Sequence, residues 1–143
     1  MEYPLIFDGH NDLLLQIQSG KVASDDSGFR GNGGHHIDLS KAKAGGFAGG
    51  FFAIYVPDDS GASFMEEMMA DSYDLPLPPA VGWPRAIETA LAQAAILTRQ
   101  EAQGALRICR TVEDIRTAMG DGIMAAVMHM EGAEAIDPDF HTL

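Results

Sequence analysis

The sequence predicts an α/β fold built on a parallel sheet. Short apolar runs alternate along the chain with segments of helical periodicity, and the runs end in glycine, proline or polar residues. Strands without a polar face are typical of parallel sheets, which helices cover. The 143 residues are predicted to form a single domain, 1–143. This length is well short of the ~250 residues of a closed eight-stranded β/α barrel.

The first third of the chain predicts a strand, two helices and a second strand. Residues 4–9 are apolar and end in Asp-Gly, which indicates a buried strand, and residues 12–18 follow as a short helix. Residues 20–36 are rich in glycine, aspartate and serine and predict a loop. A helix at 38–45 begins with an aspartate cap, and residues 49–57 form a second buried strand.

A long segment, residues 57–82, follows the second strand and contains several prolines. A connection of this length inside a compact domain is a functional lid or a disordered loop. A helical turn is expected at 64–69, where Met65, Met68 and Met69 could form an adaptable apolar lid over a site. A turn that simply packs onto the domain is the equal alternative.

The last part of the chain predicts a long helix, a short strand, a helix and a third central strand. These elements cover residues 84–103, 105–110, 111–119 and 123–130. The helix at 84–103 is expected to bury one apolar face, composed of Ile87, Leu91, Ala94, Ala95 and Leu97. Thr111 through Asp114 resembles a capping box at the start of the next helix.

The charge of the chain excludes two classes of partner. Lys and Arg number 9 and Asp and Glu number 21, which gives a formal net charge of −12. Nucleic acids and anionic membranes bind through basic residues, so neither is an expected partner. The single cysteine, Cys109, permits no internal disulfide. The acidic start of the chain does not fit a signal peptide, and we expect a cytoplasmic protein.

Candidate ligands for a metal ion stand where the predicted strands end, the edge at which parallel α/β folds place their sites. The first strand runs into His10 and Asp12, and the third central strand runs into Glu131. If the first strand continues that far, Asp8, His10 and Asp12 share one face. Histidine with carboxylates suits zinc. The same residues also admit ordinary roles, as a helix cap for Asp12 and as a solvated imidazole for His10.

Four stretches, in order along nearly the whole chain, resemble motifs of the membrane (renal) dipeptidase family of zinc metallopeptidases. They are Phe7 to Leu13 (FDGHNDL), residues 36–46, residues 49–57 and residues 130–136. Four ordered motifs are more specific than any one of them alone.

The resemblance implies a (β/α)8 TIM barrel of the metal-dependent hydrolase type, of which this chain is an N-terminal portion. It implies that His10 and Asp12 ligate one zinc ion (Zn²⁺) and that Glu131, the catalytic residue, bridges two. A hydroxide held between the ions would attack the peptide carbonyl of a dipeptide. The family's two later histidine ligands and a later aspartate would lie beyond residue 143.

For five further residues we weigh a functional role against an ordinary structural one. Tyr55 ends the second strand, where its phenol could face a substrate, with core packing as the alternative. His35 and His36 lie in the glycine-rich loop and are expected in solvent. His129 shares a face with Glu131, and the ordinary reading, a hydrogen-bonded buried histidine, is favoured. Cys109 is expected to be a small buried residue.

Two other functions stay open at the level of sequence. One is a different metal-dependent amidohydrolase or a lactonase on the same barrel, because a fold does not determine its substrate. The other, from a different class, is a catalytically inactive stand-alone binding domain. The expected partner is a small-molecule dipeptide. A homodimer is left open, because exposed edges of a barrel need to be covered.

Overall fold

The computed structural model describes residues 4–21, 29, 36–58 and 60–141. Within these ranges the chain forms four strands and five helices. The strands are β1 (Ile6–Asn11), β2 (Phe47–Tyr55), β3 (Leu106–Ile108) and β4 (Met124–Glu131). The helices are α1 (Leu13–Gln18), α2 (Leu39–Gly45), α3 (Gly61–Met68), α4 (Trp83–Ala102) and α5 (Val112–Gly120).

The four strands form one sheet in the order β1-β2-β4-β3, and every pairing is parallel. The predicted α/β class with a parallel sheet is therefore confirmed. β3 pairs only with the first three residues of β4, whereas β2 pairs with β4 along seven positions as far as Tyr55 and Glu131. The carboxyl ends of β1, β2 and β4 consequently lie next to one another at one edge of the sheet.

β1 is less buried than the sequence predicts. Leu5 and Ile6 are largely exposed because β1 lies at the border of the described sheet and has only β2 beside it. The strand also ends at Asn11, and its register against β2 shifts between Asp8 and Asn11. The condition for regular alternation through Asp12 is therefore not met.

The long helix and the long loop also differ in part from the prediction. On α4 the buried residues include Ala86, Ala90 and Leu97, whereas Leu91, predicted to be in the core, is exposed. The buried stripe is thus rotated from the predicted one. In the segment 57–82 the helix is longer than a turn and begins earlier, because α3 starts at Gly61.

The helices α1 and α4 pack on one face of the sheet and build the main core. Its fully buried members include Leu14 of α1, Phe52 of β2 and Leu97 of α4. A smaller cluster contains Cys109, as expected for a buried small residue, together with Ala118 of α5. The predicted capping box of α5 is present at Thr111 and Asp114. These contacts fix the strands whose ends carry the candidate ligands.

Two glycines let β2 approach both of its neighbours closely. A β-carbon at Gly49 would collide with the carbonyl oxygen of Ala125 in β4, and one at Gly50 would lie 2.8 Å from the β-carbon of Asp8 in β1. Side chains here would push β1 or β4 away from β2. Within the described ranges, no helix combines the length and the apolarity needed to cross a membrane.

Candidate metal centre

The structure brings together the three side chains that the sequence predicts as metal ligands. His10 is the penultimate residue of β1, Asp12 follows that strand, and Glu131 is the last residue of β4. His10 Nε2 is 3.4 Å from Asp12 Oδ1 and 3.6 Å from Glu131 Oε2. One ligand atom from each residue lies within 4.8 Å of the other two. All three side chains are about half exposed.

A buried asparagine that the sequence analysis missed holds the turn between the candidate ligands His10 and Asp12. The Asn11 side-chain amide donates to the Phe51 carbonyl oxygen at 3.1 Å and to Asp8 Oδ2 at 3.2 Å. Its Oδ1 accepts from the Leu13 backbone N–H at 3.4 Å. The amide thereby ties the end of β1 to β2 and to the first residue of α1. Its only sequence signal is its position between His10 and Asp12.

Asp8 does not belong to the ligand group, which consists of the candidate ligands His10, Asp12 and Glu131. It is absent from the group of side chains whose ligand atoms converge, and its carboxylate accepts the hydrogen bond from Asn11. The predicted shared face of Asp8, His10 and Asp12 required a regular strand through Asp12, whereas β1 ends at Asn11 after a shift of register. Asp8 supports the turn through Asn11 instead.

Asp12 occupies the N-cap position of α1, but its side chain makes no capping hydrogen bond. The backbone there has φ −99° and ψ 25°, away from the extended conformation from which a cap side chain reaches the helix N–H groups. The ordinary role as a helix cap thus does not account for its carboxylate. That carboxylate points towards His10 instead.

The chain turns sharply just after Glu131, the candidate ligand at the end of β4. Gly132 has φ +94°, a conformation that side-chain-bearing residues rarely adopt, and a β-carbon there would meet the Glu134 carboxylate. The Trp83 indole N–H donates to the Ala135 carbonyl oxygen at 3.2 Å and anchors the segment to α4. This turn places the Glu134 carboxyl group near the end of β4.

Aromatic rings lie beside the ligand group on the same side of the sheet. The His129 ring meets the ring of His10 edge to face at 6.3 Å between centroids and that of Phe51 at 5.8 Å. His129 is partly buried, and it makes these ring contacts rather than a hydrogen bond to any described residue. The expected hydrogen-bonded histidine is therefore not observed, although its shared face with Glu131 is.

Tyr55 ends β2 directly opposite Glu131 in the register of the sheet. Burial raises the pKa of its phenol, and the negative charges of Asp58, Glu131 and Glu134 add to this effect. The phenol is therefore a neutral hydrogen-bond donor at neutral pH, in an acidic environment. The buried amide of Gln93 holds the Tyr55 backbone, a contact that the sequence analysis did not identify.

The remaining predicted residues lie outside the ligand group. His36 is exposed as expected, and His35 lies outside the described residues. In the predicted lid, Met69 is exposed and Met68 is partly buried, whereas the side chain of Met65 lies outside the description. The lid stays a prediction.

A second group of potential ligands, Asp137, Asp139 and His141, is made within one turn of the chain. The Asp137 carboxylate accepts the backbone N–H groups of Asp139 and His141, both at 3.1 Å. These bonds explain the arrangement as a local turn. The His10 group differs because it joins residues from two strands that are far apart in the sequence.

Comparisons with known proteins identify the family to which the sequence is similar. Residues 1–143 match the family model described as Membrane dipeptidase (Peptidase family M19). A curated relative, an uncharacterized protein in the PQQ-III 3′ region of Acinetobacter calcoaceticus, is 32% identical over 155 residues, which cover 94% of this chain and 43% of the relative.

Solved structures share the fold. A metallopeptidase from Rhodobacter sphaeroides, solved with a phosphinate mimic of the dipeptide L-Ala-D-Ala, is 42% identical with a TM-score of 0.84, over 99% of this chain and 42% of that one. A metallopeptidase of family M19 named dipeptidase AC is 44% identical with a TM-score of 0.82, over 99% and 40%. A probable dipeptidase from Pseudomonas aeruginosa, 22% identical with a TM-score of 0.64 over 92% and 29%, shares the fold alone.

The chain spans about two fifths of the length of the curated relative and of the two more similar structures.

Proposed function

Because the chain belongs to the membrane dipeptidase family, we propose that it carries the early metal ligands of a zinc-dependent dipeptidase. The observation that supports this most is the convergence of His10, Asp12 and Glu131, whose ligand atoms lie within 4.8 Å of one another. Two carboxylates and one imidazole suit zinc. Asp12 is available for this role because it makes no capping hydrogen bond.

In this proposal His10 and Asp12 would hold one ion, and Glu131, which can offer two oxygens, would be shared between that ion and a second. When bound, the ions would lower the pKa of a water that serves as the nucleophile and would polarise the scissile carbonyl. In the net reaction the water oxygen joins the carbonyl carbon, the peptide C–N bond breaks, and the amine leaves with a proton. The further ligands of the second ion would come from outside this chain's 143 residues.

The proposed substrates are dipeptides, because a similar metallopeptidase was solved with a mimic of L-Ala-D-Ala. Tyr55 is proposed as a substrate-binding residue. It stands opposite Glu131 at the sheet edge, and its neutral phenol can donate a hydrogen bond beside the reacting group. Asp58 and Glu134, which raise the pKa of that phenol, make the same region favourable for the ammonium group of a dipeptide.

The complete fold is proposed to be a (β/α)8 barrel. Among the described residues, β1 has β2 on one side only, and β4 is paired on its β3 side only as far as Ala126. A barrel closes both edges with further strands. Zinc as the metal, a cytoplasmic location and a homodimeric state remain predictions from the sequence.

The test uses the full-length protein that contains this chain. Its metal content is measured after purification, and hydrolysis of L,L- and L,D-dipeptides is compared with that of N-acyl amino acids and lactones. His10→Ala is expected to lose metal and at least about 100-fold in kcat/KM, more than an outer-shell contact costs. The matched control, His36→Ala, removes an exposed imidazole and should change neither quantity.

Purified protein without a transition metal, or a His10→Ala variant with unchanged dipeptide hydrolysis, would contradict the proposal. Faster hydrolysis of lactones or N-acyl amino acids than of any dipeptide would be compatible with the proposed metal site but would contradict dipeptides as the substrate class.

A further inference from the structure

The end of β2 loses its strand partner at the point where the chain forms the ligand turn. β1 pairs with β2 only as far as Asn11 and Phe52, and the chain then turns away through Asp12 into α1. Tyr55, three residues further along β2, has β4 on one side but no β1 residue on the other. Its backbone groups therefore need another partner.

Gln93 of α4 supplies that partner through a single side chain. Its Oε1 accepts from the Tyr55 N–H at 2.9 Å, and its Nε2 donates to the Tyr55 carbonyl oxygen at 2.7 Å. An amide that binds both backbone groups of one residue reproduces the contacts of a neighbouring strand. Gln93 is 0% exposed, so these bonds are made away from water, where an unmade one is costly.

The same amide also reaches the helix that follows the ligand turn. Gln93 Nε2 donates to Gln18 Oε1 at 2.7 Å, and Gln18 Nε2 donates to the Thr89 carbonyl oxygen at 3.4 Å. Gln18 is the last residue of α1, the helix that begins just after Asp12. The bonds of Gln93 thus connect α1, α4 and the end of β2.

We propose that Gln93 is a positioning residue that holds Tyr55 in place relative to the His10, Asp12 and Glu131 group. The inference rests on the proposed function, in which the Tyr55 phenol faces the substrate. Gln93 itself touches neither the ligand group nor the phenol in the contacts described. In this proposal its effect on catalysis passes through the backbone of Tyr55.

Two variants of the full-length protein test this role. Gln93→Met is similar in length and removes all three hydrogen bonds. Gln93→Asn is the milder change, since it keeps a neutral amide but shortens the side chain by one methylene and so weakens both bonds to Tyr55, and it serves if the first variant fails to fold. The matched control is Gln100→Met, because Gln100 is also buried on α4 and its Oε1 has no hydrogen-bond partner among the described residues.

The first readout does not depend on activity. Hydrogen exchange is followed at the Tyr55 amide, or in peptides covering residues 47–58. We expect faster exchange in both Gln93 variants, and wild-type exchange in Gln100→Met. Unchanged exchange in Gln93→Met would overturn the inference, whether or not the protein hydrolyses dipeptides.

The second readout separates positioning from stability. In Gln93→Met we expect kcat/KM for a dipeptide to fall about 10- to 100-fold, the scale of a small misplacement in a site, with metal content unchanged. In a Tyr55→Phe background the same change should cost little more, because both act through one phenol. Losses that multiply, or wild-type kcat/KM despite faster exchange, would overturn it. An inactive wild-type protein would instead count against the proposed function.

Discussion

Two aspartates at the N-cap positions of short helices serve different ends in this molecule. Asp38 precedes α2, is 2% exposed, and accepts the Lys41 backbone N–H at 2.8 Å. Asp12 precedes α1, has a half-exposed side chain, and accepts no capping bond. The same residue type at the same helix position is thus a structural cap in one region and a candidate metal ligand in the other.

Backbone conformation accounts for the difference. Asp38 is extended, with φ −140° and ψ 164°, which is the usual N-cap geometry and directs its carboxylate to the helix N–H groups. Asp12 has φ −99° and ψ 25°, and the neighbouring Asn11 accepts the Leu13 N–H instead. The uncapped carboxylate is left for His10 and Glu131. The helix end without a side-chain cap is therefore the one at the proposed metal site.

The largest expected effect comes from removing the carboxylate of the candidate ligand Asp12. Replacing Asp12 by alanine should reduce kcat/KM of the full-length protein by more than about 100-fold, because a direct ligand outweighs an outer-shell contact. The free energy of unfolding of the metal-free protein should change by no more than about 0.5 kcal/mol, since no cap is lost. Steady-state kinetics and urea unfolding check the two parts. A stability loss without an activity loss would make Asp12 an ordinary cap.

The next effect concerns the amide that holds the ligand turn. Asn11→Ala should lower metal affinity about 10- to 100-fold, as expected for a residue that orients ligands without binding the ion. Competition with a chelator of known affinity measures this. Gln16→Ala, on the helix that follows the turn, is the control and should leave metal affinity unchanged, because its side chain makes no hydrogen bond to a residue that the structure describes. Equal losses of metal affinity in the two variants would show that Asn11 has no specific role in orienting the ligands.

Removing the helix cap Asp38 should have a smaller effect, and this effect should fall on stability rather than on activity. Asp38→Ala should lower the free energy of unfolding by about 1–2 kcal/mol, the usual cost of a lost N-cap. Metal content and kcat/KM should stay at the wild-type level, because Asp38 is absent from the ligand group. Urea unfolding and metal analysis of the same preparations provide the check. Loss of metal in this variant would contradict the division of roles.

The smallest effect is a pH dependence of the Asp38 contribution. The Lys41 N–H holds the pKa of this carboxyl below its ordinary value of 3.8, with the Lys41 ammonium adding to the effect against the opposing influence of burial. A lowered pKa stabilises the fold at pH values above the unfolded pKa, and that stability is lost as the pH falls through the folded pKa. The stability difference between metal-free wild type and Asp38→Ala should be constant from pH 7 to about 5 and narrow below about 4. A difference that widens in acid would reverse the assigned sign.

The regular elements and the ligand set follow from local patterns, but the contacts that support them do not. Apolar runs and cap residues predict β2, α2 and α5 closely, and the family motifs point to His10, Asp12 and Glu131. Asn11 and Gln93 act through partners far away in the chain, so no periodicity reveals them.

Errors in the predicted packing have a similar cause. The exposure of Leu91 and the break in the regular pairing of β1 after Asp8 depend on where a helix docks and where a strand shifts register. Both are decided by packing between elements rather than by residue pattern.

The central claim is that His10, Asp12 and Glu131 bind one metal ion together. Its most direct test is anomalous X-ray diffraction from crystals of the full-length, zinc-loaded protein, with data collected above and below the zinc absorption edge. We expect an anomalous peak about 2.0–2.2 Å from His10 Nε2 and from one carboxylate oxygen each of Asp12 and Glu131. A zinc peak at another place in the protein, with none near these three residues, would contradict the shared metal site.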